Sequence, residues 1–164
     1  MNQFQNLIND CLIDTKHVES AVILVAKTAA VTAASARFQV LPTQAQIFID
    51  SFKHMTLTRE RGFYFQDKAY TCVRADRNSI YCKCGTHGLI LVKTALYIIV
   101  ATYNDSMYPS VCVEAVEKLG RGMLVLLTAY KLQQLSTAGF KGDGLLTVYY
   151  LQIRYEGYLF YVFD

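Results

Sequence analysis

The chain has 164 residues, 53% of them hydrophobic, and a net charge of +3 from 16 basic and 13 acidic side chains. That length fits one domain able to bury about two-thirds of its unfolded surface, and the composition excludes disorder throughout, which needs low hydrophobicity and high net charge. The weak, dispersed charge excludes a nucleic-acid footprint, no apolar run reaches the ~18 residues of a membrane span, and five cysteines at no framework spacing, behind no secretion signal, read as reduced thiols of a cytoplasmic protein.

Phe4, Leu7, Ile8, Cys11 and Leu12 fall at i, i+3, i+4, i+7 and i+8, so the first 13 residues predict an amphipathic helix with Asn2 as its N-cap. Ala21 to Val25 is a short β-branched run and predicts a buried strand, with Val31 to Ala36 as its hairpin partner. Pro42 opens a second helix, where Thr43 and Gln46 have capping-box spacing and Ala45, Phe48, Ile49 and Phe52 form the buried stripe. Strands follow at Gly62 to Phe65, Lys68 to Ala75, Ser79 to Cys84, Leu89 to Val92 and Leu96 to Thr102. Their short connections mean an antiparallel meander. Pro109-Ser110 starts a further helix, with Ser110 as N-cap and Cys112, Ala115, Val116 and Leu119 as its stripe. Helix, hairpin, helix, meander and helix make an α+β fold, an antiparallel sheet covered by helices.

From Arg121 the character changes. The last 44 residues hold half of the twelve tyrosines. Met123, Leu126, Leu127 and Tyr130 continue the stripe of Leu119, which extends the helix to about residue 135 despite Gly120 and Gly122. Gly139 to Gly144 reads as a loop, and Leu145 to Phe163 as two strands turning at Glu156-Gly157. The organisation is a domain over 1–120 and a divergent, apolar, tyrosine-rich extension over 121–164.

Cys82-Lys-Cys84-Gly-Thr-His87 offers two thiolates and an imidazole, three of the ligands a zinc site needs. No fourth lies at finger spacing. Cys82 and Cys84 share one strand face beside Ile80, so they read as small buried hydrophobes and no metal is expected. His17, His54 and His87 fall in loops or at helix ends. No nucleophile motif, phosphate-cradling loop or carboxylate pair accompanies them, so neither an enzyme nor a cofactor is expected. Arg59, Arg61, Lys68, Arg74, Arg77, Lys83 and Lys93 are spread over the meander, either as a solvated strand face or as a basic face for an acidic protein or anionic lipid.

Several segments carry a family resemblance: Gly88-Leu-Ile-Leu-Val-Lys93-Thr94, the strand closing at Tyr103, Pro109-Ser-Val-Cys112 and Val116-Glu117-Lys-Leu119-Gly120. With the order of elements, they make residues 1 to about 120 resemble profilin, the small actin-monomer-binding family. Lys16-His17-Val18-Glu19-Ser20-Ala21, Cys72-Val-Arg-Ala-Asp76 and Val100 through Ser110 bring it nearest the testis-type vertebrate branch. Residues 121–164 match nothing in that pattern. The resemblance implies first and last helices side by side on one sheet face and a shorter helix on the other. It implies a non-enzymatic, cytoplasmic, cytoskeleton-associated regulator of monomeric actin, with Arg74, Lys93 and Glu114 on the actin face. Ser110 stands where well-characterised animal profilins have a lysine, which implies weakened actin affinity. The family's aromatic poly-proline site corresponds to Phe4, Leu7 and Thr32 in a chain without tryptophan, which implies little or no poly-proline binding. The family's affinity for acidic phosphoinositides would use Arg59, Arg61, Arg74, Arg77 and Lys83.

The hairpin expected after Leu145 is apolar on both faces and needs cover from its own domain or another chain. The 164-residue form is therefore expected to self-associate through its extension, or to be less soluble than a form ending near Gly120. Light scattering checks this, and two equally monodisperse monomers would count against it.

Overall fold

Alternating side chains on three central strands set the architecture. The computed structural model describes the backbone of residues 3–137 and the side chains of residues 3–123. Seven antiparallel strands form one sheet: β1 (Ser20–Val25), β2 (Val31–Ala34), β3 (Phe63–Phe65), β4 (Lys68–Ala75), β5 (Ser79–Cys84), β6 (His87–Lys93) and β7 (Tyr97–Tyr103). Their order is β2-β1-β7-β6-β5-β4-β3, so the predicted meander runs from β3 to β7 and the hairpin joins it through β1. The helices are α1 (Gln3–Cys11), α2 (Pro42–Ser51), α3 (Met55–Arg61) and α4 (Pro109–Thr137), with a 3₁₀ turn at Ile13–Thr15. By internal contacts the chain divides into residues 1–120 and 121–164, and the whole sheet belongs to the first unit.

Period-two alternation gives each central strand two buried faces. Val22, Leu24, Leu89, Leu91, Ile98 and Val100 join Phe48 and Ile49 of α2 and Phe63 and Phe65 of β3 in one core. Ile23, Ile90, Val92, Ile99 and Ala101 are equally buried on the opposite face. There α4 lies so close that a Cβ on Gly120 would come within 2.6 Å of Val92 Cγ1. Phe4 of α1 packs its ring 5.0 Å from that of Tyr97, which shares the face of Ile99. The first and last helices thus cover one face and α2 the other, as the resemblance implies.

The differences from the sequence expectations are local. Thr43 does not cap α2, which begins at Pro42 with Leu41 as N-cap and no side-chain cap bond. Gln46 instead donates to Asp50 Oδ1 at 3.0 Å. Proline needs no capped N–H at the first helical position, so the box is dispensable. Ser110 lies inside α4 rather than at its N-cap, and the Tyr108 carbonyl accepts the Cys112 N–H at 3.1 Å. Helix α3 has no counterpart in the expectations; at seven residues it is too short to show periodicity. Arg59 and Arg61 are therefore helical, not part of the meander. The β3 strand starts at Phe63, because Gly62 closes α3 at φ +63° with the Tyr70 carbonyl where a Cβ would stand. His87 is the first residue of β6, not a loop residue. Asn2 and the hairpin expected over Leu145 to Phe163 lie outside the described residues.

Gly88 leaves room for the buried Tyr103 ring. A Cβ there would stand 1.9 Å from Tyr103 Cε1, and the Tyr103 hydroxyl is held by a hydrogen bond with that of Tyr81. Gly88→Ala is expected to destabilise the fold by about 1–3 kcal/mol, the range for overpacking. Urea unfolding measures it, and an unchanged midpoint would show that the ring is free to move.

Candidate functional site

The outer strands leave one sheet face open, and a bulge decides what it displays. Thr71 pairs with Lys83 and Cys72 with Cys82, but Arg74 pairs with Tyr81 and Ala75 with Ile80, so Val73 is an extra residue. In an unbroken strand Arg74 would share the face of Cys72; the bulge turns it to the α4 side. There Arg74 Nη2 lies 2.6 Å from Glu117 Oε1 on α4, and Nη1 lies 3.1 Å from Asp76 Oδ2. Arg74 Nη2 also donates to Ser79 Oγ at 3.2 Å, and Ser79 Oγ donates to the same Glu117 oxygen at 2.9 Å. The hydrogen bond to Glu117 holds the Arg74 guanidinium above its ordinary value. Beside this network Tyr64, Ala69, Thr71 and Lys83 are exposed, and Val73, in the bulge, is 57% exposed.

The other expected actin contacts divide between faces. Glu114 is exposed on α4 and pairs with Lys118 at 3.0 Å, one helical turn on. Ser110 is exposed in the first turn of the same helix. Lys93 follows the alternation of Leu89 and Leu91 onto the α2 side, its Nζ 6.0 Å from the Phe52 ring centroid. The basic set is divided too. Arg59 and Arg61 stand on α3, and Arg59 Nη2 donates to the Ala75 carbonyl at 2.7 Å, beside the β4–β5 turn that carries Arg77. Arg74 and Lys83 face the opposite side. A single basic strand face is therefore not what these residues form, because α3 and the bulge separate them.

Phe4 and Leu7 are half-buried on α1, and Thr32 is half-buried on β2, where the β1–β2 register shifts between Ile23 and Leu24. Cys82 and Cys84 do share a strand face, with His87 paired across from Cys84. Among the described residues no group of three or more His, Cys, Asp or Glu side chains could hold a metal ion. Also among them, no helix is long and apolar enough to cross a membrane.

The profilin family model matches residues 2–124. The chain is 48% identical to Profilin-4 of Bos taurus over 121 residues, which cover 73% of this chain and 94% of that one. The chain belongs to the profilin family. Among solved structures it is similar to Acanthamoeba castellanii profilin IA, at 35% identity and TM-score 0.69, covering 74% of this chain and 96% of that one. Schizosaccharomyces pombe profilin aligns at TM-score 0.71 and 27% identity, covering 76% and 98%. Profilins are actin-binding cytoskeletal regulators, and the resemblance read from Gly88–Thr94 and Pro109–Gly120 led to the right family.

Reading the sequence missed four partners in this profilin: Glu117 for Arg74, Phe52 for Lys93, Tyr97 for Phe4 and Cys72 for Cys82. None lies at a spacing that signals contact, and the first and last depend on the bulge at Val73. The Arg74–Glu117 pair is partly exposed, so its coupling is screened. A double-mutant cycle of Arg74→Ala and Glu117→Ala in urea should give about 0.5–1 kcal/mol. Additive single effects would mean that the pair contributes nothing to folding.

Proposed function

We propose that this profilin is a non-enzymatic, cytoplasmic regulator that binds monomeric actin weakly and poly-proline ligands poorly. The observation that supports an actin-binding surface is the open β3–β4–β5 face beside α4. It presents a half-exposed arginine between apolar Tyr64 and Val73 and the acidic exposed side of α4. A flat protein partner needs a patch of about 800 Å² with an apolar centre and a polar rim, rather than a pocket. Arg74 and Glu114 are the charges we place at that rim. Ser110, exposed in the first turn of α4 where a lysine would add a rim charge, is the reason for weak affinity. Lys93, on the α2 side, would meet actin only at the end of the sheet.

The poly-proline reading rests on what Phe4, Leu7 and Thr32 offer. Receptors for a polyproline II helix present aromatic faces and indole or phenol donors to its carbonyls. Phe4 has a ring without a donor, and that ring packs at a tilt against Tyr97. Leu7 has neither ring nor donor, and Thr32 has a donor without a platform. Loss of one aromatic hot spot commonly costs about 2 kcal/mol, so two would weaken binding roughly a thousandfold if additive.

A second reading, binding to acidic phospholipids, is favoured by one observation. Among the described residues Arg61 on α3 and Arg77 in the β4–β5 turn are exposed and make no ion pair. Each such charge near an anionic surface contributes about 1 kcal/mol, and the attraction falls with salt. Liposome co-sedimentation distinguishes it, since acidic vesicles that retain no more protein than neutral ones would remove it.

Titration with monomeric actin tests the main reading. A weak complex is expected, tightened by Ser110→Lys and weakened about fivefold by Arg74→Ala, the equivalent of about 1 kcal/mol. No complex at tens of micromolar would overturn it. On immobilised poly-proline the protein is expected to elute under mild conditions, and the double change Leu7→Tyr with Thr32→Trp to increase retention. Elution only in strong denaturant would show that these three positions are not the site.

A further inference from the structure

Strand β5 carries Cys82 and, two residues on, Cys84, and strand β4 brings Cys72 directly opposite Cys82. Directly opposed residues of an antiparallel pair have Cα atoms about 4.5–5.5 Å apart, inside the range of about 4.4–6.8 Å that a disulfide spans. The diagonal neighbour, Cys84, stands at about 7–8 Å by the same geometry, which is outside that range. Cys72 and Cys82 are thus direct cross-strand partners, and both are free cysteines. Cys82 is fully buried in the α2-side core, whereas Cys72 is half-buried and adjoins the bulge residue Val73, which is open to solvent. A bulge disrupts the ladder where it occurs, so the less buried residue of the two sits at the loosest point of the β4–β5 pair.

We propose that Cys72 and Cys82 form a dithiol site that a hydroperoxide oxidises to an intramolecular cross-strand disulfide. Cys72, the less buried of the two, attacks the terminal oxygen of the hydroperoxide through its sulfur. The O–O bond breaks, two electrons leave the sulfur, and the remaining oxygen departs as water or alcohol carrying a proton. This leaves Cys72 as a sulfenic acid. The Cys82 sulfur then attacks the Cys72 sulfur, the S–S bond forms, and the sulfenic oxygen leaves as water with the Cys82 proton. The balance is two thiols and one hydroperoxide to one disulfide, one water and one alcohol or second water. Burial pushes the Cys82 thiol well above its ordinary value, so Cys82 is the resolving partner, and its proton leaves with the departing oxygen. The sulfenic acid is short-lived because this partner stands directly across the strand pair from it. A dithiol reductant reverses the bond by exchange.

The chain suits a direct test. Trypsin places each of the five cysteines in its own peptide: Cys11 in 1–16, Cys72 in 69–74, Cys82 in 78–83, Cys84 in 84–93 and Cys112 in 94–118. The full-length native protein is treated with hydrogen peroxide, its remaining thiols are alkylated under denaturing conditions, and the digest is read by mass spectrometry without reductant. The expected product is peptide 69–74 linked to peptide 78–83, lighter than their sum by two hydrogens and lost on prior treatment with dithiothreitol. It should persist in Cys84→Ser and vanish in Cys72→Ser, a change at a half-buried position with a circular-dichroism check that the variant is folded. The proposal is overturned if both peptides are recovered fully alkylated, if Cys72 accumulates as sulfinic acid without a link, or if it links instead to 84–93 or to a second copy of 69–74.

Discussion

Strands β1, β6 and β7 bury both of their faces, and two separate helical layers exist because of it. A half-solvated sheet needs only one apolar cover, but Ile90 and Val92 cannot be satisfied by the layer that buries Leu89 and Leu91. Each fully buried aliphatic side chain contributes about 1.5–3 kcal/mol, so leaving either face uncovered would exceed the net stability of a domain this size. Helix α2 covers one face with Phe48 and Ile49, and α1 and α4 cover the other. Gly120 is part of that solution. It removes a side chain where α4 crosses Val92 and Ile99, although glycine disfavours a helix interior.

On the α4 side a helix meets the outer strands at Arg74 of β4 and Ser79 of β5, through Glu117, and the exposed Tyr64, Ala69, Thr71 and Lys83 beyond them leave the rest of that face open. What it displays follows from one inserted residue. Val73 reverses the alternation of β4 midway, leaving Tyr70 and Cys72 in the α2-side core while sending Arg74 towards Glu117. The same insertion sets Cys72 opposite Cys82. An unbroken strand would expose a different set of residues and would bury the arginine side chain among apolar groups, where an unpaired charge is costly.

Much of this was legible in the sequence. The apolar runs at Ala21–Val25 and Leu89–Val92, the helical stripes of α1, α2 and α4 and the short turns between strands follow from composition and periodicity alone, and they define α+β. The motif segments between Gly88 and Gly120 carried the family, and with it the side-by-side placement of the first and last helices. Helix boundaries were less legible, because Pro42 and Pro109 start helices without the side-chain caps that Thr43 and Ser110 advertise. Helix α3 was invisible, since its one buried side chain, Thr58, is polar and its closure depends on Gly62 fitting under the Tyr70 carbonyl.

The amino-acid sequence by itself determined which segments are apolar at strand or helix period and which residue types are present, and therefore the fold class, the family and the absence of tryptophan. Tertiary structure alone decided the pairings: Arg74 with Glu117, Phe4 with Tyr97, Lys93 over Phe52 and Cys72 against Cys82. The physical reason is that periodicity is a local property of the chain. The face on which a side chain emerges after a bulge, and what meets it there, depend on strand register and helix packing between residues up to 93 positions apart.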